Sequence, residues 1–175
     1  KDFLGRFQMA DVFLGVPSMS CSGDLVRCFL EETYDVLCQS DSYFKKTNIH
    51  IIQCDEQVQQ DRLITNQEEM EAYMRDFTII GQGGTDFRPA FEYVNGLIRQ
   101  GAFRRLKGLL YFTDGEGIYP VKRPVYDTAF VFLKDQYTDI SVPAWAMKLI
   151  LEPEQLLENS GGQSSGSKAA KDGPL

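Results

Sequence analysis

Apolar residues along this 175-residue chain fall into two patterns. Asp11–Val16, Asn48–Cys54, Lys107–Phe112 and Asp127–Leu133 are short, nearly continuous apolar runs, as expected of strands buried on both faces. Ala144–Leu151 predicts a further strand, and the more polar, weakly alternating Gln57–Ile64 suits a short edge strand or hairpin arm. Between these runs the period changes to that of a helix. Val26, Phe29, Leu30, Thr33, Val36 and Leu37 mark one buried stripe, with Ser22 as its N-cap and Arg27, Glu31, Glu32 and Asp35 facing away. Met70, Tyr73, Met74 and Phe77 mark a second, opened by Thr65 and Glu68 in capping-box spacing. Phe91, Val94, Leu97 and Ile98 mark a third, with Pro89 in its first turn and Gly101 at its end. Strands alternating with helices predict an α/β fold: a doubly wound, mostly parallel sheet with helices on both faces.

Composition narrows the function. With 18 basic and 25 acidic residues the net charge is −7, so a nucleic acid or an anionic membrane surface has no cationic field to bind. No segment approaches the roughly 18 consecutive apolar residues of a membrane span, and no apolar h-region follows a basic start. A soluble, cytoplasmic protein is expected. Cys21, Cys28, Cys38 and Cys54 form no C-x-x-C pair and read as reduced core or helix-face residues. His50 is the single histidine, which excludes His-rich zinc sites; its place inside a strand marks it as a packing residue. The chain starts at Lys1 without a Met and reads as a domain excised from a longer protein.

In an open α/β sheet, ligands bind beyond the carboxyl ends of the strands, and three loops in such positions are unusual. The first strand is followed by Pro17-Ser-Met-Ser-Cys-Ser-Gly-Asp24, rich in hydroxyls. The second helix leads to Gly81-Gln-Gly-Gly-Thr-Asp-Phe-Arg-Pro89, where glycines precede a hydroxyl and a carboxylate. The run Lys107–Phe112 ends in Thr113-Asp-Gly-Glu-Gly117. Taken singly, each has a plainer reading: Gly83 and Gly84 make a turn, Thr85 or Asp86 caps a helix, Asp24 answers a helix dipole, and Asp55 and Glu116 are turn and surface residues. Taken together, hydroxyl and carboxylate oxygens from three loops are hard ligands suited to Mg²⁺, Mn²⁺ or Ca²⁺.

The segments Ser18-Met-Ser20, Gly83-Gly-Thr-Asp-Phe87 and Tyr111-Phe-Thr-Asp-Gly115 resemble the three parts of the metal-ion-dependent adhesion site (MIDAS) of von Willebrand factor type A (VWA) domains. The longer strings Gly84–Tyr93 and Gly108–Gly115 narrow the likeness to a bacterial VWA-like family, which often carries an N-terminal metallopeptidase-like domain and is often encoded beside an AAA-type ATPase. The resemblance implies a VWA, Rossmann-like domain over residues 9–152; residues 1–8 read as an N-terminal extension, and 153–175, rich in Gly and Ser and without apolar payload from Glu158 onward, as a flexible tail. It implies that Ser18, Ser20 and Thr85 supply hydroxyl ligands and that Asp114 holds the ion through water. A partner protein's carboxylate would complete the coordination. The leading Asp of the motif is missing: its place falls at Val16, or is lost with a deletion around Pro17. A divalent ion held mainly by neutral hydroxyls needs other negative charge, which Asp86, Asp114, Glu116 and Asp24 would supply.

The expected function is therefore a non-catalytic protein-binding module with a weakened Mg²⁺ or Mn²⁺ site, an adaptor to a protein partner or an AAA-type ATPase. Two alternatives stand beside it. A metal-dependent hydrolase would use Asp114 and the ion to activate water, but the sequence shows no general acid, usable histidine or nucleophile to accompany them. A metal-free interaction domain would follow from the missing Asp.

Overall fold

A computed structural model describes residues 11–17, 23–38, 48–80, 86–103 and 106–152. Its elements run β1 (Asp11–Pro17), α1 (Gly23–Cys38), β2 (Ile49–Cys54), β3 (Val58–Ile64), α2 (Gln67–Arg75), α3 (Arg88–Arg99), β4 (Leu106–Phe112), β5 (Asp127–Leu133) and β6 (Met147–Leu151). The strands form one six-stranded sheet in the order β3-β2-β1-β4-β5-β6. Every pair is parallel except β2–β3, whose short connection makes an antiparallel hairpin. The weakly patterned 57–64 segment is the edge strand its polarity predicts.

Because successive strand side chains point to opposite faces, the core divides in two. Ile51, Leu110, Phe112 and Val131 join Val26, Phe29 and Leu30 of α1 and Met70 and Met74 of α2 in one cluster. Ile52, Leu109, Tyr111, Phe130 and Phe132 join Ala90, Phe91 and Val94 of α3 in the other. The connections 113–126 and 134–146 contain no helix, and Tyr119, Tyr126, Tyr137 and Trp145 pack against the second cluster in place of one. Trp145 is half-buried and stands edge-on to Phe91.

At the centre of the sheet Gly15 has a steric purpose. A Cβ there would lie 2.6 Å from a ring carbon of Tyr111. The bare backbone lets the Tyr111 ring lie over β1 and bring its hydroxyl within 3.1 Å of Cys54 Sγ on β2. Burial pushes the Cys54 thiol up to about 11, leaving a protonated core thiol rather than a nucleophile. Toward the β3 edge, the Asp61 carboxylate takes both the His50 ring, 2.9 Å from Nδ1, and the Tyr93 hydroxyl at 2.8 Å. Burial, reinforced by Asp61, pushes the Tyr93 hydroxyl up to about 12. His50 is a paired packing residue.

Three local expectations shift. The N-cap of α2 is Asn66, not Thr65: its side chain accepts from the Glu69 N–H at 2.9 Å, while the Glu69 carboxylate reaches back to the Thr65 N–H at 2.7 Å. The reciprocal pair exists one residue later than Thr65 and Glu68 suggest, since Asn caps as well as Thr. Phe77 lies beyond α2, which ends at Arg75, and packs edge-on against Tyr73. Strand β6 starts at Met147 because the Ala146 N–H closes a turn on Pro143. The end of α3 is as expected: Gly101 adopts φ +71°, and the Ala102 and Gly101 N–H groups return to the carbonyls of Leu97 and Ile98 in a Schellman motif.

Candidate metal and partner site

The chain proceeds from β1 outward to β2 and β3, then returns to the other side of β1 as β4. The order reverses between β1 and β4, and this is where an open α/β sheet forms a crevice beyond the carboxyl ends of its strands. β1 and β4 are parallel, with Gly15 beside Tyr111, so the segments after Pro17 and Phe112 leave at that same end. Val16 and Pro17, where the leading Asp of the motif would fall, are the last residues of β1. Ser18, Ser20 and Thr85 lie outside the described residues, whereas Asp114 and Asp86 are described.

Asp114 sits in a tightly held turn. Thr113 is buried, continues the ladder through its N–H to Val131, and receives the Gly115 N–H on its hydroxyl at 3.1 Å. The Asp114 carbonyl accepts the Thr138 N–H at 2.8 Å, and its carboxylate Oδ1 accepts the Glu116 N–H at 3.1 Å. The other carboxylate oxygen, Oδ2, receives no hydrogen bond among the described residues. Gly115 has φ +88°, and a Cβ there would collide with the Thr138 carbonyl oxygen. Only glycine fits a backbone pressed this closely against the 134–146 connection. The Gly115 carbonyl in turn accepts the Tyr119 hydroxyl at 3.0 Å. Burial drives that phenol's proton affinity up, and the charges of Asp114 and Asp139 add to it.

Asp86 is joined to the same turn through the backbone. It forms an isolated parallel bridge with Ile118, and the Phe87 N–H donates to the Ile118 carbonyl at 3.0 Å. Phe87 is buried against Tyr111, Tyr119 and Phe130, and the missing side chain of Gly117 gives its ring room. The Asp86 carboxylate, however, is already occupied by Arg88. Its Oδ1 accepts the Arg88 N–H and Nε–H, and its Oδ2 accepts Nη2–H at 2.7 Å. The Arg88 side chain therefore holds the Asp86 carboxyl below the usual carboxylate range. Asp86 acts as a cap at the start of α3, where Phe87 in the N-cap position has no capping group of its own.

Residues 78–80 are fixed by Gln53 at the end of β2. Gln53 is 1% exposed. Its amide N–H₂ is shared among the Thr78 carbonyl, the Tyr73 hydroxyl and Gln60 Oε1, and its carbonyl accepts the Ile80 N–H at 2.6 Å. A glutamine inside an otherwise apolar run was the sequence signal for this role, and Gly117, thirty residues beyond Phe87, was the weaker signal for that contact. Asp55 and Glu116 are the turn and exposed residues expected: Asp55 Oδ1 caps the Gln57 N–H, and Glu116 is exposed.

Among the described residues no three His, Cys, Asp or Glu side chains group to hold a metal. A cation at this rim would therefore depend on Asp114 together with hydroxyl oxygens outside the described residues. That donor set is hard and low in charge, and it fits a weakly held Mg²⁺ or Mn²⁺ rather than a thiophilic ion.

An open, mostly parallel α/β sheet with Asp114 in the loop just beyond a central strand defines a Rossmann-like domain. The model of the VWA-like domain family (DUF2201) matches residues 17–152, most of the chain, and the protein belongs to that family. Among solved structures, proximal thread matrix protein 1 from the mussel byssus resembles it in two crystal forms. Their TM-scores are 0.63 and 0.62, each at 13% identity over 85% of this chain. The chain spans only 45% and 44% of those structures, so the likeness is one of fold. The SpRpn10 VWA domain aligns over 93% of this chain and all of its own, at 12% identity and a TM-score of 0.46. No curated protein matches the sequence. No described helix is long and apolar enough to cross a membrane.

Proposed function

We propose that this domain is a non-catalytic protein-binding module, a doubly wound VWA arrangement with helices on both faces whose crevice rim docks an acidic side chain of a partner protein. Ser18, Ser20, Thr85 and Asp114 would hold Mg²⁺ or Mn²⁺ there, while Asp86, whose charge Arg88 already answers, would add little. Bound at the rim, the ion would supply the positive charge that a partner carboxylate seeks. The observation supporting this reading is Asp114: its loop is fixed at backbone and side chain, yet one carboxylate oxygen faces no donor among the described residues. Val16 in place of the motif's leading Asp makes the site weak. An AAA-type ATPase is the partner class the family resemblance suggests.

A metal-free interaction domain is the second reading, and the Arg88 fork favours it, because Asp86 spends its charge on a neighbour. Pull-down of a candidate ATPase with and without Mg²⁺, using wild type and Asp114→Ala, separates the two. Capture that needs Mg²⁺ and Asp114 supports the first, and capture indifferent to both supports the second.

A further inference from the structure

The connections after β4 and β5 carry no helix, and their side chains sort by burial. Tyr119 and Tyr126 go inward, to the second core cluster. Four of the seven large apolar side chains exposed among the described residues go outward from these same two connections: Ile118, Val121, Val125 and Ile140. Lone apolar residues on a surface are ordinary, whereas a concentration of them on adjoining segments points to a contact surface. The stretch Tyr119-Pro-Val-Lys-Arg-Pro-Val-Tyr126 also holds its exposed side chains in place. Tyr119 stands edge-on to Phe87 and Phe130, at 4.9 and 4.8 Å, and Tyr126 at the other end is buried. Between these anchors Pro120 and Pro124 fix the backbone and remove two N–H donors. Val121 and Val125 are nevertheless 92% and 90% exposed, so the fold leaves their apolar area in water. Lys122 and Arg123 lie between them, both exposed. Lys122 makes no ion pair among the described residues, and Arg123 meets Asp127 only at 3.9 Å, the outer limit of an ion pair. In a chain of net charge −7 this is a local excess of cation.

We propose that residues 121–125 form a second docking element, which receives a segment of a partner protein bearing acidic residues between aliphatic ones. The acids meet Lys122 and Arg123, and the aliphatic side chains cover Val121 and Val125. The two cations select an acidic occupant, and the valines distinguish it from a simple anion, which would leave them uncovered. An anionic bilayer would face the net negative charge of the whole chain, whereas a short segment meets the local cations, because salt screens charges farther off than about 10 Å. A loop already fixed by its prolines and buried tyrosines loses little conformational freedom on binding. The element needs no metal and stands apart from the Asp114 rim.

The test is NMR titration of the full chain, in EDTA so that no cation sits at the rim, with the capped peptide Ser-Leu-Glu-Glu-Leu-Ser. Two control peptides replace its acids by lysines or its leucines by serines. The backbone amides of residues 121, 122, 123 and 125 report occupancy. The expected result is saturable shifts with the first peptide, at a Kd on the order of 1 mM, and binding of each control weaker by about tenfold. The paired substitutions Lys122→Glu with Arg123→Glu, and Val121→Ser with Val125→Ser, should each weaken the first peptide by about the same factor. All four side chains are exposed, so both variants should keep the wild-type melting temperature. Absence of saturable shifts, equal binding of all three peptides, shifts produced by phosphatidylserine vesicles and not by the first peptide, or variants that bind it as wild type does would overturn the proposal.

Discussion

The two carboxylates of the rim, Asp86 and Asp114, come from loops that meet at Ile118, yet they are used in opposite ways. Asp86 takes three N–H groups from Arg88 and closes the start of α3, so its charge is answered two residues away. Asp114 takes one backbone N–H through its side chain, while its loop is held by contacts elsewhere: the Thr138 N–H on its carbonyl and Tyr119 on the carbonyl of Gly115. The Asp86 carboxylate is spent at a helix start, whereas the Asp114 turn is held mainly by contacts that leave one oxygen of its carboxylate without a donor among the described residues. A charge left over at a strand end is evidence for a binding site only when the backbone around it needs no help from that charge.

The contrast can be broken most severely at Gly115. Gly115→Ala forces a side chain onto the Thr138 carbonyl at a φ that L residues avoid, and about 5 kcal/mol of stability should be lost, measured by urea denaturation. Phe87→Ala removes the buried ring that ties the Asp86 loop to residues 117–119. A loss of about 4 kcal/mol is expected by the same method, and a loss below about 1 kcal/mol would mean that the backbone contacts to Ile118 suffice alone. Gln53→Leu leaves the Ile80 N–H and Thr78 carbonyl without their partner, for a cost of about 2 kcal/mol. Faster amide exchange should accompany it, confined to residues 78–80.

The smallest effect tests the charge of Asp86 by pH. The Asp86 carboxyl lies below its ordinary value in the folded protein. Its stabilising contribution is therefore complete above the unfolded value near 3.9 and disappears as pH falls through the lower folded value. Asp86→Asn should destabilise at neutral pH, and wild type and variant should converge in strong acid. A difference that persists there would assign the loss to shape rather than charge.

Much of the fold was legible because burial on both faces leaves a simple signature. Strand β5 occupies the very residues of its apolar run, and Pro89 and Gly101 mark the ends of α3. Boundaries set by single hydrogen bonds were less legible: Asn66 displaced Thr65 as a cap, and the Pro143 turn delayed β6. At the candidate site the loops could be located from sequence, but the engagement of Asp86 could not. A guanidinium two residues away reads as an ordinary surface charge until the helix start bends the chain and brings its fork onto the carboxylate. Gly15 was equally silent, since the ring it admits comes from a strand almost a hundred residues later.

The central claim is that the rim retains a divalent-cation site weakened by the residue at the end of β1. Titration calorimetry with Mn²⁺ on wild type, Asp114→Ala and Val16→Asp tests it directly. The account predicts weak binding by wild type, none by Asp114→Ala, and at least tenfold tighter binding by Val16→Asp. Silence from all three, or equally strong binding by wild type and Val16→Asp, would contradict it.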